Sequence, residues 1–199
     1  MFYSTDENNH GLKHNPFKAL VAPRPIGWIS SLSAKGEINL APYSFFNGIS
    51  DIPPFVMFSS AGHKDSLNNI EETGEFVCSL ATYDLKDQMN MTSADVKPDV
   101  DEMALAGLTP APSQLVKPPR VAESPVALEC TFYQSIPLPG NEDPDREGYI
   151  VVIGRVVGIH IDESVVTDGK VDMAKLRLLA RLGYMDYTVV DNVFSMGRP

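Results

Sequence analysis

The chain has little cysteine, one tryptophan, four histidines and no surplus of positive charge. Each scarcity removes a class of protein. Two cysteines in 199 residues, Cys78 and Cys130, cannot form a disulfide framework, and they make no CxxC pair. Both lie in apolar, strand-like stretches, EFVCSL and ALECTFY, where a free cysteine acts as a small hydrophobe. The histidines show no zinc spacing: His10 and His14 are four apart, but Gly11 intervenes and their segment is polar. Lysine and arginine number 16 against 26 acidic residues, a net charge of −10, and no basic run exceeds two residues. That balance excludes the positive field that nucleic acid requires. No run approaches the roughly 18 apolar residues of a membrane span. The first fifteen residues, MFYSTDENNHGLKHN, lack the basic-then-apolar order of a secretory leader, so a cytoplasmic location is expected.

What is present describes a folded, turn-rich body. Hydrophobic residues make up 43%, too many for disorder. Glycine and proline together account for 14 + 16 = 30 positions, which implies many irregular connections. The length suits one domain over residues 1–199.

Strands are expected at 26–34 with a return through 37–40 after the Lys35-Gly36 turn, then at 55–59, 75–81, 126–135 and 149–161. Helices are expected at 65–72, closed by Gly74, and from an Asp84 cap through Met91. A last helix runs from Asp172 through MAKLRLLARL to Gly183 and leads into an extended tail. The stretch 93–125 holds six prolines and reads as a long excursion over the surface. The pattern is mainly β with inserted helices, and no GxGxxG or GxxxxGK[ST] loop occurs. A closed antiparallel barrel of about six strands would remove the exposed sheet edges.

Three polar clusters interrupt the apolar segments. In APRPIGWISS, Arg24 is pinned between two prolines ahead of Trp28, Ser30 and Ser31. In NLAPYSFFN, small Ala41 and Pro42 beside two aromatics could let a flat ring approach backbone. In SSAGHKDS, a strand ending in hydroxyls runs through Gly62 into a helix start carrying Lys64. Free N–H groups and the helix dipole favour an anion there. Taken singly, each cluster has an ordinary structural explanation: a rigid strand entry, core aromatics, a helix cap. Three within forty-five residues point to a phosphate-bearing, flat ligand. Arg24 and Lys64, set among neutral hydroxyls, would make its site locally positive in an acidic chain.

The order PRPIGWISS, NLAPYSFFNGIS, PPFVMFSS, KDSLNNI, TGEFVCSL, then YIVVIGRVVGIHID and ARLGYMDY, resembles the flavin reductase-like family, in particular its flavoredoxin-type branch. The resemblance covers most of residues 20–190. It implies a six-stranded, Greek-key, FMN-binding split barrel, homodimeric, with noncovalent FMN at the subunit interface. Trp28, Ser30 and Ser31 would border the flavin or its ribityl chain. Ala41, Pro42, Ser44, Phe45 and Phe46 would form its wall. Ser59, Ser60, Lys64 and Asp65 would mark the phosphate end, with Asp65 orienting Lys64 or capping the helix. Arg181, Gly183 and Tyr184 would approach from the last helix turn, from the same or the other subunit. Related two-component reductases carry Gly-Asp-His before the late strand, where this chain has Arg146-Glu147-Gly148; His160 is then expected to be structural.

The implied activity is hydride transfer from NADH or NADPH to FMN and onward to an acceptor protein, such as an oxygenase component, or to oxygen. The flavin carries that chemistry, so no catalytic side chain is expected. The alternatives are a flavin-holding electron carrier without appreciable NAD(P)H turnover and, more remotely, an oxidase of the pyridoxamine phosphate type.

Overall fold

The computed structural model describes residues 1–98, 100–140 and 148–199. Seven antiparallel strands make the main sheet: β1 Gly27–Leu32, β2 Ile38–Tyr43, β3 Phe46–Asp51, β4 Pro54–Ala61, β5 Glu75–Leu80, β6 Val126–Pro137 and β7 Tyr149–Ile161. Their order is β2-β1-β5-β6-β7-β4-β3. The sheet therefore has seven strands where six were expected. The extra one is β3, hidden in the sequence because it forms one apolar segment with β2 and exposes five of its six residues.

The first and last strands of that order are consecutive in the chain, joined through Ser44 and Phe45 alone. The sheet must curl until its two edges meet at this joint. Tyr43 of β2 stacks against Phe58 of β4 with ring centroids 4.5 Å apart, and Ser59 N–H donates to the Phe45 carbonyl at 2.9 Å. Gly27 of β1 sits under the Phe46 ring. A methyl group there would come within 2.4 Å of that ring, so only glycine admits the closure.

Strand alternation divides the core. Ile29 points inward with Phe58, Phe76 and Val152. Trp28 points to the other face, packed with Leu40, Met89, Met103, Leu108 and Val121. Most of this second set comes from the segment after β5. The 93–125 excursion is thus no mere surface loop: it covers the outer face of the sheet and buries Met103, Val116 and Val121.

Helix α1, Asp65–Thr73, buries Leu67 and Ile70 and closes at Gly74, as its spacing predicts. Helix α2, Lys86–Met91, follows a 3-10 turn, but Asp84 does not cap it. The Asp84 carboxylate instead meets Arg177 at 3.1 Å, across the chain.

The final helix spans only Met173–Leu176. Arg177 adopts a left-handed backbone (φ 45°), which ends it. The expected continuation, LLAR, is instead strand β8 Leu178–Arg181, paired with Arg24–Pro25 on one side and with strand β9 Tyr187–Val190 on the other. The helical spacing of Leu176, Leu179 and Leu182 misleads, because a short apolar run held between two strand partners fits either period. Among the described residues no helix is long and apolar enough to cross a membrane. Residues 141–147, which include Arg146 and Glu147, lie outside the described residues.

Candidate functional site

A cavity of about 680 Å³ lies where the end of β2, the start of α1 and the beginning of the 93–125 excursion converge. Its β2 wall is Asn39, Ala41, Pro42 and Tyr43; its α1 rim is Lys64, Asp65 and Ser66; Thr92 and, from the excursion, Asp95, Pro98 and Glu102 are among the residues that complete it. Its volume is in the range of small-molecule sites, roughly 300–1,000 Å³.

The α1 rim offers one cation and a set of backbone donors, with Asp65 beside them. Lys64 stands at the N-cap with extended backbone, and no side chain caps the helix. The first intrahelical bond is Asn68 N–H to the Lys64 carbonyl, so the N–H groups of Asp65, Ser66 and Leu67 precede the ladder. The turn into the helix is shaped by Ser60, whose hydroxyl donates to the Gly62 carbonyl at 2.8 Å.

Beneath the rim lies a buried polar lattice. Asn39 donates to Ser66 Oγ at 2.7 Å and to Ser31 Oγ at 3.4 Å, and Asn69 reaches Ser31 at 3.2 Å. The Tyr43 hydroxyl is buried against Ser60 and Ser66 yet lacks a hydrogen bond of ordinary geometry. Burial first of all pushes its pKa up, so it is a neutral hydroxyl behind the cavity wall. Glu102 accepts the Leu40 N–H at 2.9 Å; burial, with Asp65 and Asp101 nearby, pushes its carboxyl above the usual range.

A smaller pocket of about 160 Å³ lies on the other side of Pro42, which borders both spaces. Lys18, Arg24, Ser44, Arg181 and Tyr184 surround it.

The residues singled out from sequence therefore separate into three groups. Ala41, Pro42, Lys64 and Asp65 line the larger cavity. Pro42, Ser44, Arg181 and Tyr184 line the smaller one, with Arg24. The rest lie behind the walls. Trp28 is fully buried and donates to Thr92 Oγ1 at 2.9 Å; Ser30 is spent on the Pro119 carbonyl; Ser31 is inside the lattice. Phe46 is core, Ser59 is tied to Phe45 through its backbone, and the Phe45 ring lies between Lys18 and Tyr149.

Arg24 and Lys64 do not share one positive site. Arg24 is buried, its guanidinium bonded to the carbonyls of Lys18, Val21 and Leu182. Sequence reasoning missed Tyr43, Thr92 and Lys18. Tyr43 lay in plain view as one more aromatic of NLAPYSFFN, while nothing local to Thr92 or Lys18 signals a cavity.

A family model described as the flavin reductase like domain matches residues 20–185. The chain belongs to the flavin reductase-like family. Nitrilotriacetate monooxygenase component B from Bacillus cereus superposes with a TM-score of 0.89 at 30% identity, covering 98% of each chain. The 2-nitrobenzoate 2-nitroreductase NbaA of Pseudomonas fluorescens gives 0.85 at 25% identity, covering 100% of this chain and 96% of its own. A split-barrel-domain protein from Shewanella frigidimarina gives 0.84 at 22%, covering both chains fully, and shows the fold alone. The family's split barrel is thus the curled seven-stranded sheet described above.

Proposed function

We propose that this chain binds FMN noncovalently in the larger cavity and acts as an NAD(P)H-dependent oxidoreductase of the flavin reductase type. One observation carries the proposal. A helix start with Lys64 and no side-chain cap, together with the side-chain-poor wall Ala41–Pro42, lines a single cavity of about 680 Å³. That donor set fits a ligand with a phosphate at one end and a flat, hydrogen-bonding ring at the other. When bound, FMN supplies the redox chemistry, accepting hydride from a pyridine nucleotide and releasing electrons to an acceptor.

The chain's own residues bind and orient. Lys64 and the first N–H groups of α1 hold the phosphate. Asp65 is a carboxylate beside that site and does not bind phosphate itself; it positions Lys64. Ala41 and Pro42 present backbone and small side chains to the ring, and Tyr43 braces that wall from the core. Trp28 pairs in register with Pro42, so it and Ser30 stiffen the wall from behind, as Ser31 does beneath the rim. Ser60 sets the turn before Lys64, while Ser59, Phe45 and Phe46 secure the barrel joint. The working form is a homodimer, and an oxygenase component is one acceptor, in keeping with the "component B" of the Bacillus cereus neighbour.

Purified protein should show flavin absorbance or take up added FMN; failure of both overturns the proposal. Anaerobic titration with NADH and with NADPH should bleach the bound flavin. Persistent oxidised flavin with both would leave a carrier and remove the reductase activity.

A further inference from the structure

The smaller pocket has no part in holding FMN under the reading above, yet it is assembled with care. Three cations surround it: Lys18, Arg24 and Arg181. Arg24 and Arg181 are direct cross-strand partners, an arrangement of like charges that disfavours the folded state. Burial and, after it, the charge of Arg181 lower the pKa of Arg24. Among the described residues no carboxylate forms an ion pair with any of the three. Their neighbours are rings instead, Lys18 and Arg24 over Phe45 and Arg181 over Tyr187, so three cations with no carboxylate among them leave the pocket suited to an anion.

The donors are only partly used. Arg24 spends both terminal nitrogens on carbonyls, but among the described residues its buried Nε has no partner. Arg181 donates through Nη2 to the Tyr184 carbonyl at 2.6 Å; among the described residues its Nη1 and Nε make no hydrogen bond, and neither does Lys18 Nζ.

Two devices hold the pocket's walls in place. Arg24 ties the 18–21 segment to Leu182 through its three carbonyl bonds. Gly183 lies against Ala19 so closely that a methyl group would come within 2.4 Å of the Ala19 side chain. Next to it Tyr184 adopts a left-handed backbone (φ 56°), a strained choice for a tyrosine, and stands exposed at the mouth. Strain of that kind persists where the surrounding structure over-determines it, commonly at ligand sites.

The pocket is too small for a whole ligand, since such sites start at roughly 300 Å³. It suits one phosphate or carboxylate group. Pro42 forms a side of it and also a side of the larger cavity, so a molecule anchored here by its anionic group extends across the Ala41–Pro42 wall.

We propose that Lys18, Arg24 and Arg181, with Ser44 and Tyr184, form an anion subsite for the second substrate. It anchors the phosphate or carboxylate of the reductant or acceptor while the rest of that molecule lies against the flavin wall. The assignment to a second substrate rests on the larger cavity being the flavin site.

The test uses the FMN-loaded full chain and the variants Lys18→Gln and Arg181→Gln, sparing Arg24 because it fastens the fold. Inorganic pyrophosphate and benzoate are titrated as probes of the two anion types, and FMN affinity is measured in parallel. The parent should bind at least one probe, each variant should bind it about tenfold more weakly, and FMN affinity should hold. Pyrophosphate binding with a raised KM for NAD(P)H at unchanged kcat assigns the pocket to the dinucleotide. Benzoate binding with unchanged NAD(P)H parameters assigns it to an aromatic acid acceptor. Absence of probe binding in the parent, or equal binding by parent and variants, overturns the subsite. Loss of FMN affinity in step with the probes also overturns it, since the pocket would then serve the flavin. Should the parent fail to bind FMN at all, the flavin reading falls, and probe titration of the flavin-free chain still reports on the pocket.

Discussion

Replacing Glu129 with alanine should unfasten the 114–116 segment of the excursion and lower stability by about 3 kcal/mol. Glu129 is 1% exposed, yet it is a carboxylate with four partners. Oε1 accepts the Gln114 N–H at 2.7 Å and lies against His160 Nε2; Oε2 accepts the Leu115 and Val116 N–H groups at 2.6 and 3.2 Å. Deleting one partner of such a buried arrangement costs roughly 3–5 kcal/mol. Gln114 and Leu115 are exposed residues whose N–H groups can recover water, which puts the expectation at the lower end. For a chain of this size each kcal/mol moves Tm by about 2–4 °C, so the midpoint should fall by about 6–12 °C.

Glu129→Gln keeps the volume and one acceptor oxygen, and it should lose about half as much. The effect should also depend on pH. Burial pushes the Glu129 carboxyl up, but bonds from Gln114, His160 and Leu115 outweigh it and hold the group below the usual carboxylate range. A carboxyl lowered on folding contributes stability that is present above its unfolded value, about 4.3. That contribution is lost as pH falls through the folded value. Urea unfolding of the parent and Glu129→Gln at neutral and acid pH should show the gap closing in acid. A Glu129→Ala midpoint within about 2 °C of the parent, or a gap that widens on acidification, would refute the reasoning.

Lys64→Ala should weaken FMN binding roughly tenfold, the loss of one charge-assisted contact, with the far-UV spectrum unchanged. Unchanged affinity, read from flavin fluorescence, would remove Lys64 from the phosphate role. Gly27→Ala forces a methyl group against the buried Phe46 ring and should cost about 1–3 kcal/mol in urea unfolding; a neutral result would mean the barrel joint is loose. Cys78 and Cys130 are both buried, and burial pushes the Cys78 thiol up to about 12. Neither should react with a thiol reagent until the protein unfolds, and rapid modification of the native chain would contradict that.

The strands that the sequence announces are those whose neighbours punctuate them: β1 and β2 around Lys35-Gly36, β5 after Gly74, β6 and β7 as long apolar runs. What it conceals depends on partners far away in the chain. β3 exposes most of its side chains and is a strand because β4 folds back on it. β8 lies in a stretch whose Leu176, Leu179 and Leu182 have helical spacing, and it is a strand because Arg24–Pro25 and β9 lie beside it. The same limit applies to the site. Lys64 at a helix start and Ala41-Pro42 beside aromatics are local signals, and both reach the cavity. Trp28 and Ser30 carry signals equally suggestive, but strand alternation turns them to the outer face, under a cover that six prolines and little periodicity had disguised as surface loop.

The separation of Arg24 from Lys64 is the most consequential of these differences. Read along the chain, two cations among hydroxyls make one positive site. In the fold, Pro42 stands between them, and each keeps different company: Lys64 an uncapped helix start, Arg24 two further cations and a strained tyrosine. A single dianionic phosphate needs only one of these environments. Left without an anion, the second burdens the folded chain through two arginines held opposite each other. A protein with ten excess negative charges had carboxylates to spare for neutralising both, and among the described residues it pairs none with these cations. Two anions on either side of one flat wall is the arrangement that uses both groups of cations, and it is what a reductase that stacks a second charged molecule against a bound flavin would require.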